Sequence, residues 1–359
     1  MSAEPYPLYA RCLLPEFAAG VYEEERLFLR GEDFYKGLGA EAHLGSRIAW
    51  VDPVGRTVRA EDGAVYPYDR LLIATGAAPW QPAVPGLRQA AAEGIAIPLQ
   101  TLKDAHLIRR RLAQAERAVV VGAGFVGLEA AFNLAKKLED VVLIERCERI
   151  LPGQLDRTAA RILEGELARV GVQLLLGEAL VEMVPAPPRG HAAALALGSG
   201  RRLEADLVVL ATGSRPNLDA VRDAGIRTHR GILVDRSLRT SAEDIYAAGD
   251  VAETIDSAVG HSFLTPIWPS AVSQGEIAAT NMCGLRGEVS GWIGLENVAE
   301  FREVPVVSMG LVDPEGTGYE EYVDHRPREG VYRKVVVKDD RLAGLLFVGE
   351  IQTPASSAI

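Results

Sequence analysis

The central part of the chain alternates short apolar runs with segments of helical spacing. Residues 118–121 are all apolar and predict a buried strand, residues 128–138 predict a helix, and residues 141–144 predict a second strand leading to Glu145. Such alternation favours parallel strands joined by helices, an α/β fold. The same alternation continues on both sides, with predicted helices at Leu102–Leu112 and 156–170 and a predicted strand at Val172–Leu176.

The flanking segments predict shorter strands with more turns between them. Residues 47–51 and 57–59 predict strands around the turn at 53–55, and residues 179–200 predict a small meander with a loop at 185–188. Residues 82–98 are rich in proline and alanine and predict a linker or crossover.

The C-terminal third begins with a predicted strand at 232–234 and a helix at 269–282, with Trp268 just ahead of the helix. From Glu288 onward the pattern changes to short strands, and residues 330–348 predict an antiparallel hairpin.

Between the first central strand and its helix lies the segment Gly122-Ala123-Gly124-Phe125-Val126-Gly127. This spacing, in this context, is typical of a dinucleotide-binding turn. Gly122 permits a tight turn, Gly124 lets a pyrophosphate approach the backbone, and Gly127 lets the helix lie close to the strand. The N–H groups at the start of that helix would hold the phosphates. The alternative is a βα unit with a merely tight turn.

Glu145 stands at the end of the next strand. A carboxylate there can accept hydrogen bonds from both hydroxyls of an adenosine ribose and would repel a 2′-phosphate. The sequence therefore predicts NAD(H), while Arg146 and Arg149 leave NADP(H) open.

Two segments of the chain are similar to each other. Residues 69–79 and 206–216 each run from an aspartate through an apolar block to Ala-Thr-Gly and a proline, which indicates two related units. The second copy belongs to the unit that opens at Gly122. A glycine turn spaced in the same way before the first copy would fall ahead of residue 1. We therefore expect the first unit to lack its opening strand, glycine turn and helix.

Composition excludes several classes of partner. The chain has 359 residues and a formal net charge of −11, which argues against nucleic acid or an anionic membrane as its main partner. Its 3 cysteines, at positions 12, 147 and 283, include no C-x-x-C pair, and the histidines show no metal-ligand spacing, so no metal site is expected. The composition and the absence of a signal-peptide pattern favour a cytoplasmic location.

Four motifs, in order, suggest a family. They are Tyr-Ala-Arg-Cys-Leu-Leu-Pro at 9–15, the first Ala-Thr-Gly at 74–76, the glycine turn with Glu145, and Tyr-Ala-Ala-Gly-Asp at 246–250. The sequence resembles the flavoproteins of the pyridine nucleotide–disulfide oxidoreductase superfamily. The resemblance is to the branch of NADH oxidases, rubredoxin and ferredoxin reductases and the flavin module of nitrite reductases.

The resemblance implies two Rossmann-like dinucleotide-binding domains and the cofactors FAD and NAD(H). The FAD domain would comprise residues 1–101 and 226–287 without its first βα unit, and would be interrupted by an NAD(P)H domain at 102–225. A C-terminal α+β interface domain, apparently partial, would follow at 288–359 and form a homodimer. Without the first glycine turn, the chain alone would bind FAD poorly and tend to aggregate.

The resemblance also implies roles for single residues. Those expected to contact FAD are Ala74, Thr75, Gly76, Gly249 and Asp250, with Asp250 on the ribityl chain, while Gly213 ends the second Ala-Thr-Gly. Three residues keep alternatives. Arg11 contacts the flavin or forms a surface ion pair, and Trp268 edges the flavin or packs. Glu129 lies near the nicotinamide ribose or is a favourable carboxylate in the first turn of its helix.

The expected activity is that of an FAD-dependent NAD(P)H oxidoreductase. Electrons would pass from NADH through flavin to an external acceptor, a small molecule or a small redox protein. Cys12 supports an alternative, a single-cysteine disulfide or peroxide reductase, if its thiol is redox active. A non-catalytic NAD-binding fragment is the third possibility.

Overall fold

A computed structural model describes residues 1–31, 33–185, 192–255, 262–289 and 296–350. The helices are α1 (Leu14–Ala18), α2 (Asp33–Gly37), α3 (Leu87–Ala92), α4 (Leu102–Leu112), α5 (Phe125–Leu134), α6 (Arg157–Arg169) and α7 (Trp268–Met282). The strands are β1 (Ile48–Asp52), β2 (Thr57–Ala60), β3 (Val65–Pro67), β4 (Leu71–Ile73), β5 (Ala77–Pro79), β6 (Ala96–Pro98), β7 (Arg117–Val121), β8 (Asp140–Glu145), β9 (Val172–Leu176), β10 (Leu180–Pro185), β11 (Ala193–Leu197), β12 (Arg202–Ala205), β13 (Leu207–Leu210), β14 (Ser214–Pro216), β15 (Ile232–Leu233), β16 (Ile245–Ala247), β17 (Ala252–Ile255), β18 (Ser262–Leu264), β19 (Glu296–Phe301), β20 (Val304–Gly310), β21 (Tyr319–Arg326), β22 (Val331–Lys338) and β23 (Arg341–Val348).

The chain forms two compact units, whose segments alternate along the sequence. The first unit comprises Met1–Cys12, Glu24–Ala78 and Ser214–Gly294, and the second comprises Leu13–Glu23, Pro79–Gly213 and Leu295–Ile359. The α/β fold class predicted from the sequence is confirmed, and the predicted domain boundaries stay a prediction.

The second unit is built on a five-stranded parallel sheet in the order β6-β13-β7-β8-β9. Its central strands are apolar and buried on both faces, as parallel strands covered by helices require. Helix α4 has the predicted limits because Thr101 and Asp104 form a reciprocal capping box at its start. A three-stranded antiparallel sheet, β10-β11-β12, confirms the predicted meander, although its loop at 186–191 lies outside the described residues.

The C-terminal strands of the second unit form a five-stranded sheet, β19-β20-β23-β22-β21, with antiparallel pairing throughout. The predicted hairpin is confirmed as β22–β23. Its turn residues Asp339 and Asp340 have φ values of 49° and 56°, the conformation that a two-residue hairpin turn needs.

The first unit contains small sheets that surround one apolar cluster. Strands β1-β2-β3 form one sheet and β15-β17-β18 another, while β4 and β16 pair in parallel. The predicted turn at 53–55 is confirmed, because the Asp52 carboxylate accepts hydrogen bonds from the Val54 and Gly55 amides at 3.1 and 2.9 Å. The core cluster includes Ile73, Val221, Ile245 and Val251.

Three sequence predictions are wrong in detail. The helix predicted at 128–138 begins at Phe125 and ends at Leu134, because Gly124 serves as its N-cap and residues after Leu134 turn tightly. Trp268 is the first residue of α7 rather than the residue before it. The segment predicted as a linker at 82–98 contains α3 and the edge strand β6. Pro98, which has no N–H to donate, is tolerated at a sheet edge.

Candidate functional site: the carboxyl ends of two parallel strand sets

In the second unit the predicted nucleotide-binding residues share one edge of the parallel sheet. The glycine turn follows β7, Gly213 lies shortly after β13, and Glu145 ends β8. The chain order reverses between β7 and β13, since β8 and β9 lie on one side of β7 and β13 and β6 on the other. Ligands of open α/β sheets bind at such a point, outside the carboxyl ends of the strands.

The three glycines of the turn have different surroundings. A Cβ at Gly122, where φ is 103°, would overlap the carbonyl oxygen of Ala211, and a Cβ at Gly127 would overlap that of Gly122. Gly124 differs, because a Cβ there would meet no described atom within 4 Å. Close packing therefore requires glycine at Gly122 and Gly127, whereas Gly124 borders open space.

The start of α5 is suited to an anion. Gly124 is its N-cap, and no side chain of the described residues caps the helix. The first amides of the helix, at Phe125, Val126 and Gly127, therefore form the positive end of the helix dipole, and no described side chain accepts their hydrogen bonds. The arrangement fits a pyrophosphate group. The ring of Phe301 in β19 stacks on the Phe125 ring, with 6.1 Å between the ring centroids.

Glu145 is buried and fixed by the backbone. Its Oε2 accepts a hydrogen bond from the Ala123 amide at 2.7 Å, and its Oε1 accepts one from the Cys147 amide at 2.9 Å. The carboxylate thus joins the glycine turn to the end of β8. Each oxygen keeps further acceptor capacity for a ribose hydroxyl.

Glu129 lies in the second turn of α5 rather than the first, because the helix begins at Phe125. The interpretation as a favourable first-turn carboxylate is therefore wrong. Glu129 lines a cavity of about 180 Å³ with Glu16, Lys136 and Arg302. Burial, and then the charge of Glu16, raise the pKa of Glu129 to about 8. Lys136 donates a hydrogen bond to Asn133, which lines the same cavity, at 2.8 Å.

We expect Glu129→Gln to stabilise the second unit increasingly as pH rises. The unfolded chain ionises Glu129 near its ordinary pKa, whereas the folded chain ionises it only near pH 8. Between about pH 5 and about pH 8 the folded state therefore binds more protons than the unfolded state, and its stability falls as pH rises. Glutamine removes this cost because it never ionises. Urea unfolding across this range should show a growing advantage for the variant, with Glu204→Gln at an exposed site as control. An advantage that is equal at both ends of the range contradicts the assignment.

In the first unit the residues predicted to contact FAD lie at the carboxyl ends of β4 and β16. These strands pair in parallel, with Ile73 opposite Ala247, and the Ala248 amide continues the ladder to the Ile73 carbonyl at 3.1 Å. The first Ala-Thr-Gly, at 74–76, and the Gly-Asp pair at 249–250 therefore leave adjacent strand ends together. Both glycines have positive φ, 64° at Gly76 and 77° at Gly249.

Thr75 is tied to the chain as it leaves β14. Its Oγ1 donates to the Asn217 carbonyl at 3.0 Å, and the Asn217 side-chain amide donates to the Thr75 carbonyl at 2.8 Å. These reciprocal bonds fix the Ala-Thr-Gly segment beside the strand ends.

Asp250 presents a carboxyl group at this edge. Burial raises its pKa, and the positive charge of Arg11 offsets part of that shift. A half-buried acceptor of this kind fits a ligand that offers hydroxyl donors, as the ribityl chain of FAD does. Arg11 forms an ion pair with Glu4 and lies over the Tyr9 ring, so the predicted surface ion pair is present.

The remaining candidates lie at the start of α7 and near the N-terminus. No side chain of the described residues caps α7, and Trp268 at its start is 39% exposed. Cys12 is exposed in the turn Arg11–Leu13, and it forms no disulfide with another described residue. Sequence reasoning missed Gln274, which is buried beneath Gly249. The available signal was the spacing of Ser270, Gln274 and Asn281 along one buried side of α7.

Within the described ranges, no group of three or more acidic, histidine or cysteine residues is arranged to hold a metal ion. Among the helices in those ranges, none has the length and apolar character needed to cross a bilayer.

Comparison with known proteins identifies the family. Residues 1–275 match the model for pyridine nucleotide-disulphide oxidoreductases, and residues 298–356 match the C-terminal domain of rubredoxin NAD+ reductases. The chain is 32% identical to the NADH-dependent phenylglyoxylate dehydrogenase subunit epsilon of Aromatoleum evansii, over 95% of this chain and 80% of that protein. It is 31% identical to the assimilatory nitrate reductase electron transfer subunit of Bacillus subtilis, over 97% of this chain but only 43% of that protein.

Among solved structures, the covalent putidaredoxin reductase–putidaredoxin complex superposes with a TM-score of 0.87 at 25% identity, covering 96% of this chain and 82% of that chain. The predicted fold class, the oxidoreductase assignment and the family cofactors FAD and NAD(H) are confirmed. The chain belongs to the pyridine nucleotide-disulphide oxidoreductase family.

Proposed function

We propose that this chain is an FAD-dependent NAD(P)H oxidoreductase that passes electrons from NADH through flavin to an external acceptor. The observation that carries the proposal is the presence, in each unit, of glycine-containing segments at the carboxyl ends of paired parallel strands. One edge has an uncapped helix start for a pyrophosphate, and the other has a half-buried carboxyl group for a ribityl chain. Family membership supports both assignments.

The residues of this chain would bind and orient the two cofactors. Bound FAD supplies the capacity to accept a hydride and to pass electrons on. The first amides of α5 would hold the NADH pyrophosphate, and Glu145 would accept hydrogen bonds from the adenosine ribose. Asp250 would bind the ribityl chain. The positive end of α7 would stabilise negative charge at the pyrimidine edge of the flavin.

We expect NADH to bind at least about tenfold more tightly than NADPH, a difference of about 1.4 kcal/mol. The fixed charge of Glu145 would repel a 2′-phosphate. Arg149, a candidate clamp for that phosphate, is occupied by Asp313 at 2.6 Å and by the Pro152 carbonyl at 3.0 Å. Fluorescence titration with both nucleotides measures the preference. NADPH binding as tight as NADH binding contradicts it.

The acceptor we propose is a small redox protein or a small molecule. One similar chain is named as an electron transfer subunit, and one similar structure is a reductase bound to putidaredoxin. Both descriptions fit a chain that hands electrons to a partner.

A second function rests on the exposed Cys12, which would make the chain a disulfide or peroxide reductase. The two functions predict different effects of Cys12→Ser. If the acceptor is external, the variant keeps its NADH-dependent reduction of dyes and of redox proteins unchanged, and the wild type reduces no disulfide or peroxide. Steady-state assays with each class of acceptor decide between them. Disulfide or peroxide reduction that the serine variant loses would establish the second function instead.

A cytoplasmic location and a homodimer are further parts of the proposal. The composition and the lack of a disulfide among the described cysteines support the cytoplasmic location. Among the described strands, β19 and β21 are the outer strands of their sheet and carry the exposed side chains of Val298 and Tyr322, which supports the homodimer. Analytical ultracentrifugation of the purified chain tests the dimer, and a monomer at all concentrations contradicts it.

A further inference from the structure

A buried polar cluster lies beneath the Gly-Asp pair of the first unit. Gln274 of α7 is fully buried, and its Oε1 accepts a hydrogen bond from the Gly249 amide at 2.7 Å. Gly249 has a φ of 77°, a backbone conformation that few residues other than glycine adopt. The hydrogen bond that Gln274 accepts therefore holds the Gly249 peptide group at the point where the chain leaves β16 towards Asp250.

The other end of the Gln274 amide is fixed as well. Its Nε2 donates to the Thr265 hydroxyl at 3.2 Å and to the Ser270 hydroxyl at 3.3 Å. The Ser270 hydroxyl in turn donates to Thr265 at 2.8 Å, and both side chains are buried. Flipping the Gln274 amide would place its NH₂ group against the Gly249 N–H, donor against donor, in a site closed to water. The cluster therefore specifies one orientation, with the amide oxygen towards Gly249.

This orientation matters for Asp250, which is the next residue after Gly249. Among the described residues, no side chain caps the start of α7. Gln274 is the one described side chain that accepts a hydrogen bond from the Gly249 amide. The buried Gln274 side chain thus fixes the backbone that carries Asp250, the residue proposed to bind the ribityl chain. The atoms of the Gln274 side chain are themselves enclosed by protein.

We infer that Gln274 is a positioning residue of the flavin site: it fixes the Gly249–Asp250 backbone so that the Asp250 carboxylate can receive the ribityl hydroxyls of FAD. This inference rests on the proposed function, because it assigns Asp250 to FAD. The role needs an acceptor oxygen at Gln274 and does not need its NH₂ group. A glutamate in its place meets that requirement, since Thr265 and Ser270 can turn their hydroxyls to donate to a carboxylate.

The test is a series of FAD titrations on the full chain, followed by flavin fluorescence quenching. We expect Gln274→Leu to weaken FAD binding at least about tenfold, and Gln274→Glu to stay within about threefold of the wild type. Ser270→Ala is the matched control, because it disturbs the same cluster but leaves the Gln274 oxygen in place. It should also stay within about threefold. The visible circular dichroism of bound flavin should change in Gln274→Leu alone, a signature that general loss of stability does not produce.

Two results overturn the inference. One is FAD binding by Gln274→Leu at wild-type affinity. The other is a loss of affinity in Ser270→Ala or Gln274→Glu as large as in Gln274→Leu, which would reduce the cluster to a structural role. Weak FAD binding by the wild type agrees with the missing glycine turn and still gives an affinity to compare, whereas a wild-type chain that binds NADH but no FAD at any concentration overturns the proposed function itself, and the inference with it. Thermal melting of each FAD-free variant separates unfolding from a specific loss of the site.

Discussion

Gly124→Ala is expected to weaken NADH binding by about 100-fold or more while leaving the folded structure intact. The backbone at Gly124 has φ of −77° and ψ of −177°, which alanine adopts without strain. The added methyl group would meet no described atom within 4 Å. It would instead occupy the open space beside the uncapped start of α5, where the pyrophosphate must approach the backbone.

Gly127→Ala supplies the contrast within the same turn. Its methyl group would overlap the carbonyl oxygen of Gly122 and crowd the Ala211 side chain, so the strand and helix must separate. We expect this variant to lose stability with or without NADH. Thermal melting and NADH titration of both variants distinguish the two effects. Wild-type NADH affinity in Gly124→Ala, or wild-type stability in Gly127→Ala, contradicts the assignment of the turn.

Asp156→Ala is expected to destabilise the second unit by about 3–5 kcal/mol. Asp156 precedes α6, and its Oδ1 accepts hydrogen bonds from the Thr158 and Ala159 amides at 3.1 and 3.0 Å. Its Oδ2 accepts from the Tyr332 hydroxyl at 2.6 Å and from the Lys334 ammonium at 3.4 Å. Lys334 is only 4% exposed, so alanine removes a helix cap and leaves this buried ammonium with the Glu321 carboxylate, at 3.1 Å, as its remaining ion-pair partner among the described residues.

Tyr332→Phe is the matched control for that prediction. It removes one of the donors to Asp156 but leaves the cap and the ammonium contact, and we expect a loss of about 1 kcal/mol. Urea unfolding of the two variants gives the difference. A loss of less than about 1 kcal/mol in Asp156→Ala would show that the network contributes little to stability.

Local patterns in the sequence predicted much of the fold and the nucleotide edge. The glycine turn, Glu145 and the strands around them follow from short-range spacing, because a βα turn is set by residues close together in the chain. The similarity of 69–79 to 206–216 also indicated the strand ends at which the flavin candidates lie. These features depend on backbone geometry that glycine and apolar runs encode directly.

The features that were missed depend on distant contacts. Strand β6 is too short to show a period, and it is a strand because it pairs with β13. Burial, and then the charge of Glu16, raise the pKa of Glu129, and both depend on segments far away in the sequence, so the shift has no local signal. The spacing of Gln274 with Ser270 and Asn281 places these residues on one side of α7, but the hydrogen bond that Gln274 accepts from Gly249 has no local signal. The glycine spacing places Phe125 and Val126 in the turn, whereas in the structure they are the first two residues of α5.

The most direct test of the central claim is anaerobic addition of NADH to the chain after it has been loaded with FAD. Hydride transfer from NADH removes the visible absorbance of oxidised flavin. We expect one equivalent of NADH to bleach one equivalent of bound FAD in the wild type, and Gly124→Ala to bleach little at the same NADH concentration. A chain that binds both NADH and FAD but leaves the flavin oxidised would contradict the assignment of an NADH-dependent flavin oxidoreductase.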